Sequence, residues 1–500
     1  MGKIELMTRN LSSGLVLLVL GGMFFQPVCA SERPPERSGV TDCSVDLNDQ
    51  GKPFRGWGTS LAWWAHGVGA WSDNAVDRIV HLITDPVEGL GLTVFRYNIG
   101  GGDAPGHHHF RTWGDVPGFK ASVSSAYDWK ADDAQGNVLL KLVKAAGPGA
   151  LVEGFSNSAP WWMTRSGCAA GAKDGGPNLR PELEGNFVDY LAEVTDHYRR
   201  VFGVTFSSLE PFNEPDASWW KAGHDQEGMA VPNDQQARII RSLRSTLDRR
   251  GLGSTAVSAP DANSIDATLD TLRSYDRETL AALGQVNTHS YFGSGRVKLR
   301  DLAEADGKPL WQSETGPLQV KGTEYEQVMY VARRVVEDIN GLRPEVWCMW
   351  QAVAGGAWGC LQDDQRTQTV SPRKLFHVMA VFTRAIRPGD RFLNLESHDI
   401  LAAVSMSRGE AVLVAVNSEK SSRLIRIHLR GGVLPKVAAL MVTSSTRDLA
   451  ASGTVPISDG VLELSLEPES VTRVTFPYLA PGEEQRIGRP SLTPVLPAGR

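Results

Sequence analysis

Two glutamates are set in matching surroundings. Glu214 lies in Leu209-Glu210-Pro211-Phe212-Asn213-Glu214-Pro215 and Glu314 in Trp311-Gln312-Ser313-Glu314-Thr315-Gly316. Each closes a short β-rich run among amide and aromatic neighbours. Two carboxylates facing each other across a pocket can divide acid and base work, one holding a proton while the other is ionised. Cleavage of a glycosidic bond needs that division. A lone glutamate at a strand end has a plainer reading, as a helix cap or an arginine partner; two of them in one pocket favour chemistry.

The tryptophans fit the same kind of ligand. All 14 fall between residues 57 and 358. Many sit at predicted strand ends or just beyond, including Trp63, Trp64, Trp161, Trp162, Trp219, Trp220 and Trp350. Sugar rings stack their C–H faces on flat aromatics, so these residues read as a saccharide cleft, although any single one is as well suited to filling a barrel end. Gly100-Gly101-Gly102 reads as a loop that lets a sugar approach the backbone. His107-His108-His109 suggests metal, but three adjacent residues in one loop seldom converge on an ion and no Cys or carboxylate has ligand spacing. The reading is a solvated loop, with no metal and no cofactor. Neither a Gly-x-Ser-x-Gly nucleophile elbow nor a phosphate-binding Gly-x-x-x-x-Gly-Lys-Ser/Thr loop is present.

The elements that must position the pair repeat. Strand candidates are residues 55–60, 93–99, 150–156, 206–213, 254–259, 285–290, 309–313 and 345–350, each followed by a helical pattern. In the stretch from Pro181, Phe187, Leu191, Val194, Tyr198 and Val201 recur at helical steps. Eight successive βα units predict a closed (β/α)8 TIM barrel in the α/β class, whose strand C-termini share one rim. An open doubly wound sheet is the alternative, without a Gly-x-Gly-x-x-Gly turn to support it. Beyond Pro388 the pattern changes to runs such as Ala411-Val412-Leu413-Val414-Ala415-Val416, which predicts a C-terminal antiparallel β-sandwich.

The expected division is a signal peptide over 1–30, a segment over 31–54 that crosses to join the sandwich, the barrel over 55–388, the sandwich over 389–477 and a disordered tail over 478–500. The signal rests on Lys3 and Arg9 before an apolar run and on Val28-Cys29-Ala30 as a cleavage site; an uncleaved anchor is the alternative. Four cysteines follow it, Cys43, Cys168, Cys348 and Cys360, with Cys348–Cys360 as the preferred disulfide. With 500 residues, 41% of them hydrophobic, the chain can bury a large core. A net charge of -6 gives no basic face for nucleic acid or an anionic membrane. The expected partner is a polysaccharide or oligosaccharide, with no membrane span once the signal is removed.

The sequence resembles glycoside hydrolase family 30, and within it the endo-β-1,6-galactanases. The likeness is carried by Gly56-Trp57-Gly58-Thr59-Ser60-Leu61-Ala62-Trp63-Trp64, Arg96-Tyr97-Asn98-Ile99-Gly100-Gly101, Phe155-Ser156-Asn157-Ser158-Ala159-Pro160-Trp161-Trp162-Met163 and Pro211-Phe212-Asn213-Glu214-Pro215. It runs from about residue 50 to residue 475, and the loop 102–109 departs from it. The resemblance implies a secreted retaining endo-glycosidase acting on β-1,6-linked galactan, with Glu214 as acid/base and Glu314 as nucleophile. Glu214 is expected to have a raised pKa and Glu314 to be ionised, with Arg96 as its cation and Tyr291 as its hydroxyl donor. Asn213 is expected to hold the sugar 2-hydroxyl. His289 reads as a sugar ligand or a satisfied core histidine, and Trp63, Trp64, Trp162 and Trp350 as the stacking surface. Enzymes of the same family acting on β-1,6-glucan, glucosylceramide or xylan, and a sugar-binding protein without turnover, are the competing readings.

Overall fold

The computed structural model describes residues 40–317 and 322–478. Eight parallel strands form its centre: β1 (Gly56–Ser60), β2 (Val94–Asn98), β3 (Leu151–Phe155), β4 (Ser208–Glu210), β5 (Ala256–Ser264), β6 (Gln285–Phe292), β7 (Leu310–Glu314) and β8 (Val346–Val353). Each pairs with the next, and Val346 of β8 lies opposite both Trp311 of β7 and Gly56 of β1, which closes the ring. The expected eight-stranded parallel barrel is therefore present. Helices follow every strand, among them Asp133–Ala146 after β2, Glu184–Phe202 after β3 and Glu324–Leu342 after β7.

The helices form where the apolar period is helical and where their ends are satisfied. Phe187, Leu191, Val194 and Tyr198 bury one face of Glu184–Phe202, and Gly203 ends the helix in the left-handed conformation (φ 69°) that glycine adopts without a Cβ penalty. Val201, expected on that face, is 55% exposed in the last turn. Glu324–Leu342 starts from a capping box between Thr323 and Glu326.

Two strand ends differ from expectation in ways that matter. β5 continues past Ala259 to Ser264, and β6 continues to Phe292. The expected strand covers 254–259, yet the pairing with β6 continues through register shifts around Pro260 and Ala262. Asp261 is tolerated in the buried strand because a guanidinium faces it. Conversely β4 stops at Glu210, before the proline, so Glu214 stands in the loop beyond.

The second layered unit is mostly antiparallel. Thr41–Asp46 joins it alongside Arg423–Arg430, and Gln50–Pro53 pairs with Arg391–Leu393. Ten strands form one sheet that turns over at Ala450–Ser458, which pairs with Val437–Ser444 along its body and with Val461–Leu466 at its end. Val45, Ile425, Ile427 and Leu464 pack against Leu413, Val474 and Phe476 in its core. The run Ala411–Val416 is buried on both faces: Ala411, Leu413 and Ala415 enter this core, while Val412, Val414 and Val416 join the core of the barrel and its helices. That double burial explains its uninterrupted apolarity.

The expected signal and tail lie outside the described residues, apart from Tyr478. Among the described residues no helix is long and apolar enough to cross a membrane. The preferred Cys348–Cys360 disulfide is absent, and Cys43, Cys168, Cys348 and Cys360 are all free. Cys348 packs with Val94, Trp311 and Val346, whereas the Cys360 thiol lies 3.6 Å from the sulfur of Met349, the next residue on β8. Adjacent strand residues point to opposite faces, so the two thiols are on different sides of the sheet.

Candidate active site

The barrel brings the sequence-predicted carboxylates to one buried pocket. Glu314 ends β7 and Glu214 follows β4, and they are 3% and 7% exposed. One oxygen of each and a ring nitrogen of His289 lie within 4.8 Å of one another. Glu214 has a positive φ of 47°, an unusual backbone state for a residue with a Cβ. The surrounding bonds hold it there. Its N–H donates to the Asp261 carbonyl at 2.9 Å, and its own carbonyl accepts from the buried Trp220 indole at 2.8 Å. Asn263 Nδ2 donates to its Oε1 at 2.5 Å, and His289 Nδ1 lies 3.2 Å from the same oxygen.

Glu314 is gripped from the other side. Arg96 Nη1 donates to Oε2 at 3.0 Å and the Tyr291 hydroxyl to Oε1 at 3.1 Å. The fully buried Arg96 also donates to Glu153 at 3.0 Å and to Asp261 at 2.6 Å, with its guanidinium 4.3 Å from the Phe155 ring centre. Three carboxylates on one planar fork fix its orientation more tightly than a lysine ammonium would. Glu153 is in turn saturated by Ser208, Ser258, Gln285 and Asn287.

The charges in this network do not balance. Arg96 and His289 face four carboxylates, those of Glu153, Asp261, Glu214 and Glu314. Burial by itself lowers the His289 pKa, but Glu314 and Asp261 raise it well above the usual histidine range, so the ring is an imidazolium. Burial alone raises Asp261; Arg96 and His289 overcome it and hold Asp261 well below the carboxylate range. Burial raises Glu314 to about 7, against the pull of His289 and Arg96 and with a further push from Glu214. The resemblance implies an ionised nucleophile; burial, with the push of Glu214 and Asp261, instead lets Glu314 keep its proton until roughly neutral pH.

That shift has a consequence for stability. The folded-state pKa of Glu314, about 7, lies above its ordinary 4.5. Between those values the folded state binds more protons than the unfolded one, so this group's contribution falls as pH rises through the window. Replacing Glu314 by Gln removes the titration. The melting temperature of the variant minus that of the wild type is therefore expected to grow from about pH 5 to about pH 8, equivalent to on the order of 2 kcal/mol. Scanning calorimetry in matched buffers measures it, and a difference that is flat or shrinks with pH contradicts the assignment.

The remaining expectations divide. Asn213 is buried, with an Oδ1 that accepts no hydrogen bond from the protein. Trp63 and Trp350 meet edge to face at 5.2 Å beside Phe155 and Trp358. Trp63 also leaves its indole N–H unpartnered. Trp64 is corrected: it is 1% exposed in the core, its N–H bound to the Ser60 carbonyl, and it presents no face to a ligand. Trp162 is half-buried, packed on the core and bonded to the Lys120 carbonyl, so it braces a loop. Gly100 serves close approach by the protein's own chain, since a Cβ there would fall 2.2 Å from the Val116 carbonyl oxygen. The histidine loop also departs from expectation, as His107 and His109 do converge, on Asp103 and Cys168.

Sequence reasoning missed Glu153, Asp261, Asn263 and Trp358. Glu153 carried a signal, a charge in the middle of the apolar run Leu151–Phe155. Asp261 and Asn263 were lost because β5 was ended too early. Trp358, whose ring centre lies 6.3 Å from that of Tyr291, comes after β8 in a short 3-10 turn with no periodicity to mark it.

Comparison with known proteins agrees with this geometry. The family model for O-glycosyl hydrolase family 30 matches residues 41–303. An endo-β-1,6-galactanase from Hypocrea rufa is 31% identical over 406 residues, covering 76% of this chain and 82% of that protein. An exo-β-1,6-galactobiohydrolase from Bifidobacterium longum subsp. longum is 25% identical, over 60% of this chain and 26% of that longer protein. In fold, a conserved exported protein from Bacteroides fragilis superposes with a TM-score of 0.73 at 19% identity, covering 87% of this chain and 100% of that one. With the family model spanning more than half of the chain, and Glu214 and Glu314 sharing a pocket at the rim of the barrel, this chain is an O-glycosyl hydrolase and belongs to glycoside hydrolase family 30.

Proposed function

We propose that this protein is an exported, retaining endo-β-1,6-galactanase. The observation that carries the mechanism is the approach of one Glu214 oxygen to one Glu314 oxygen within 4.8 Å. Retaining glycosidases set their carboxyl groups about 5–5.5 Å apart, whereas inverting ones leave about 6.5–9.5 Å for a water. In the proposed cycle ionised Glu314 attacks the anomeric carbon while Glu214 protonates the departing oxygen. Glu214 then takes a proton from water, which attacks the same carbon and releases Glu314.

The neighbours fit those roles. Arg96 and Tyr291 orient Glu314 and stabilise its charge before attack. The His289 imidazolium lies 3.2 Å from Glu214 and 3.6 Å from Glu314, on Oε1 of each, so it can stabilise whichever carboxylate carries charge. Asn213, with its free amide oxygen, is placed to accept from the 2-hydroxyl as the oxocarbenium-like transition state forms. Trp63 and Trp350 offer aromatic surface beside the pocket.

The substrate is proposed from similarity: the Hypocrea rufa relative is an endo-β-1,6-galactanase and the Bifidobacterium one acts exo on the same linkage. Export is proposed from the basic and apolar start of the chain. Incubation with β-1,6-galactan and β-1,6-glucan in parallel tests the assignment. Galactose oligomers of mixed length, released early from the galactan, are expected. Glucose oligomers alone would reassign the specificity, galactobiose alone would reassign the mode to exo, and binding without release would mark a sugar-binding protein.

A further inference from the structure

We propose that Asp103, His107, His109 and Cys168 form a zinc site that clasps the loops after β2 and β3. One donor atom from each of these residues lies within 4.8 Å of every other. The closest approaches are His107 Nδ1 to Asp103 Oδ1 at 3.1 Å, His109 Nε2 to Asp103 Oδ2 at 3.2 Å and Cys168 Sγ to His109 Nε2 at 3.3 Å. Ligands on a tetrahedral zinc with bonds of about 2.0–2.3 Å are roughly 3.3–3.7 Å apart, so small side-chain shifts suffice to seat the ion.

The hydrogen bonding around the cluster points to a cation. His109 Nδ1 lies 2.6 Å from the carbonyl oxygen of His224. A carbonyl only accepts, so Nδ1 carries the hydrogen, and in the neutral ring the Nε2 lone pair faces Asp103 and Cys168. The Asp103 side chain is 8% exposed, and its Oδ2, the oxygen nearest Nε2, is buried and takes part in no hydrogen bond. Lone pair against carboxylate in a buried place is repulsive, and an ion between them turns the repulsion into two bonds. Metal-binding histidines typically donate their other ring nitrogen to a carbonyl in this way.

The donor set selects the metal. One sulfur, two imidazoles and one carboxylate suit zinc, whereas calcium and magnesium prefer all-oxygen shells. Cys168 is 3% exposed, and its sulfur accepts from the Ala170 N–H at 3.5 Å, which fixes its direction toward the cluster. Four protein ligands leave no open position, the mark of a structural site rather than a hydrolytic one. Through the His224 carbonyl the clasp reaches the loop after β4, whose Trp220 supports the backbone of Glu214.

The test uses the full chain, stripped with chelator, incubated with Zn2+ and desalted. About one zinc per chain, by elemental analysis, is expected for the wild type. His107→Ala, at the exposed edge, and Cys168→Ser are expected to weaken binding by more than the roughly 10–100-fold that loss of an outer-shell partner costs. Substitution with Co2+ is expected to give a sulfur-to-metal charge-transfer band that Cys168→Ser abolishes. Circular dichroism separates loss of the site from loss of the fold, and His107→Ala carries the decision if Cys168→Ser is unfolded. A wild type that retains no zinc, or a His107→Ala variant that retains it equally well, overturns the proposal.

Discussion

Glu314→Gln is expected to lower kcat on β-1,6-galactan by about 10⁴-fold or more, because the covalent step loses its nucleophile and no neighbour can replace it. Two neighbouring carboxylates are committed elsewhere: Asp261 to Arg96 and His289, and Glu153 to Arg96, Ser208, Ser258, Gln285 and Asn287. Gln preserves shape and can still meet the Tyr291 hydroxyl, so the fold should survive, as near-UV circular dichroism would show. Oligosaccharide binding should persist within about 10-fold, since the loss is confined to the transition state. Residual turnover within 100-fold of wild type would remove Glu314 from the nucleophile role. The same substitution is expected to stabilise the protein above neutral pH, so activity and stability should move in opposite directions, as they do when a site holds buried charge for its chemistry.

Glu214→Ala has a different expected signature. On galactan, whose leaving group is a poor alkoxide, loss of proton donation should cost about 10²–10⁴-fold in kcat. On an aryl glycoside with a good leaving group the first step needs no proton, so the intermediate on Glu314 should form and then persist, giving a burst followed by slow turnover. Added azide should restore turnover and yield a glycosyl azide of retained configuration, because a small anionic nucleophile needs no general base and the vacated carboxylate leaves room for it. Equal losses on both substrates, with no azide rescue, would place Glu214 outside proton transfer. In this variant Asn263 Nδ2 loses its Glu214 partner, whereas His289 keeps Asp261 and Glu314.

The residues that were legible in the sequence share one property. Glu214, Glu314, Arg96 and Tyr291 are at or near barrel strand ends, and closure of a parallel barrel puts all such ends on one rim whatever the loops do. Their contacts follow from strand order, with β2, β6, β7 and the loop after β4 each contributing a side chain. His289 was legible as a position but not as a charge: whether it is neutral or cationic depends on three carboxylates from other elements. Trp64 was misread because the neighbouring Trp63, at a positive φ of 70°, turns the chain so that one indole faces the pocket side and the next enters the core.

The sequence by itself determined the alternation of strands and helices, the change of pattern after Pro388 and the location of two carboxylates on a common rim, because these depend on periodicity and chain order. Only the tertiary structure decided which partners those groups meet. Asp261 was reached by a strand that runs past a proline, Glu314 gained its raised pKa from burial and from the charges of Glu214 and Asp261, and Cys168 on one loop was brought to Asp103, His107 and His109 on another. Loop convergence and net charge in a buried pocket arise from contacts between residues far apart in the chain, and local pattern carries no record of them.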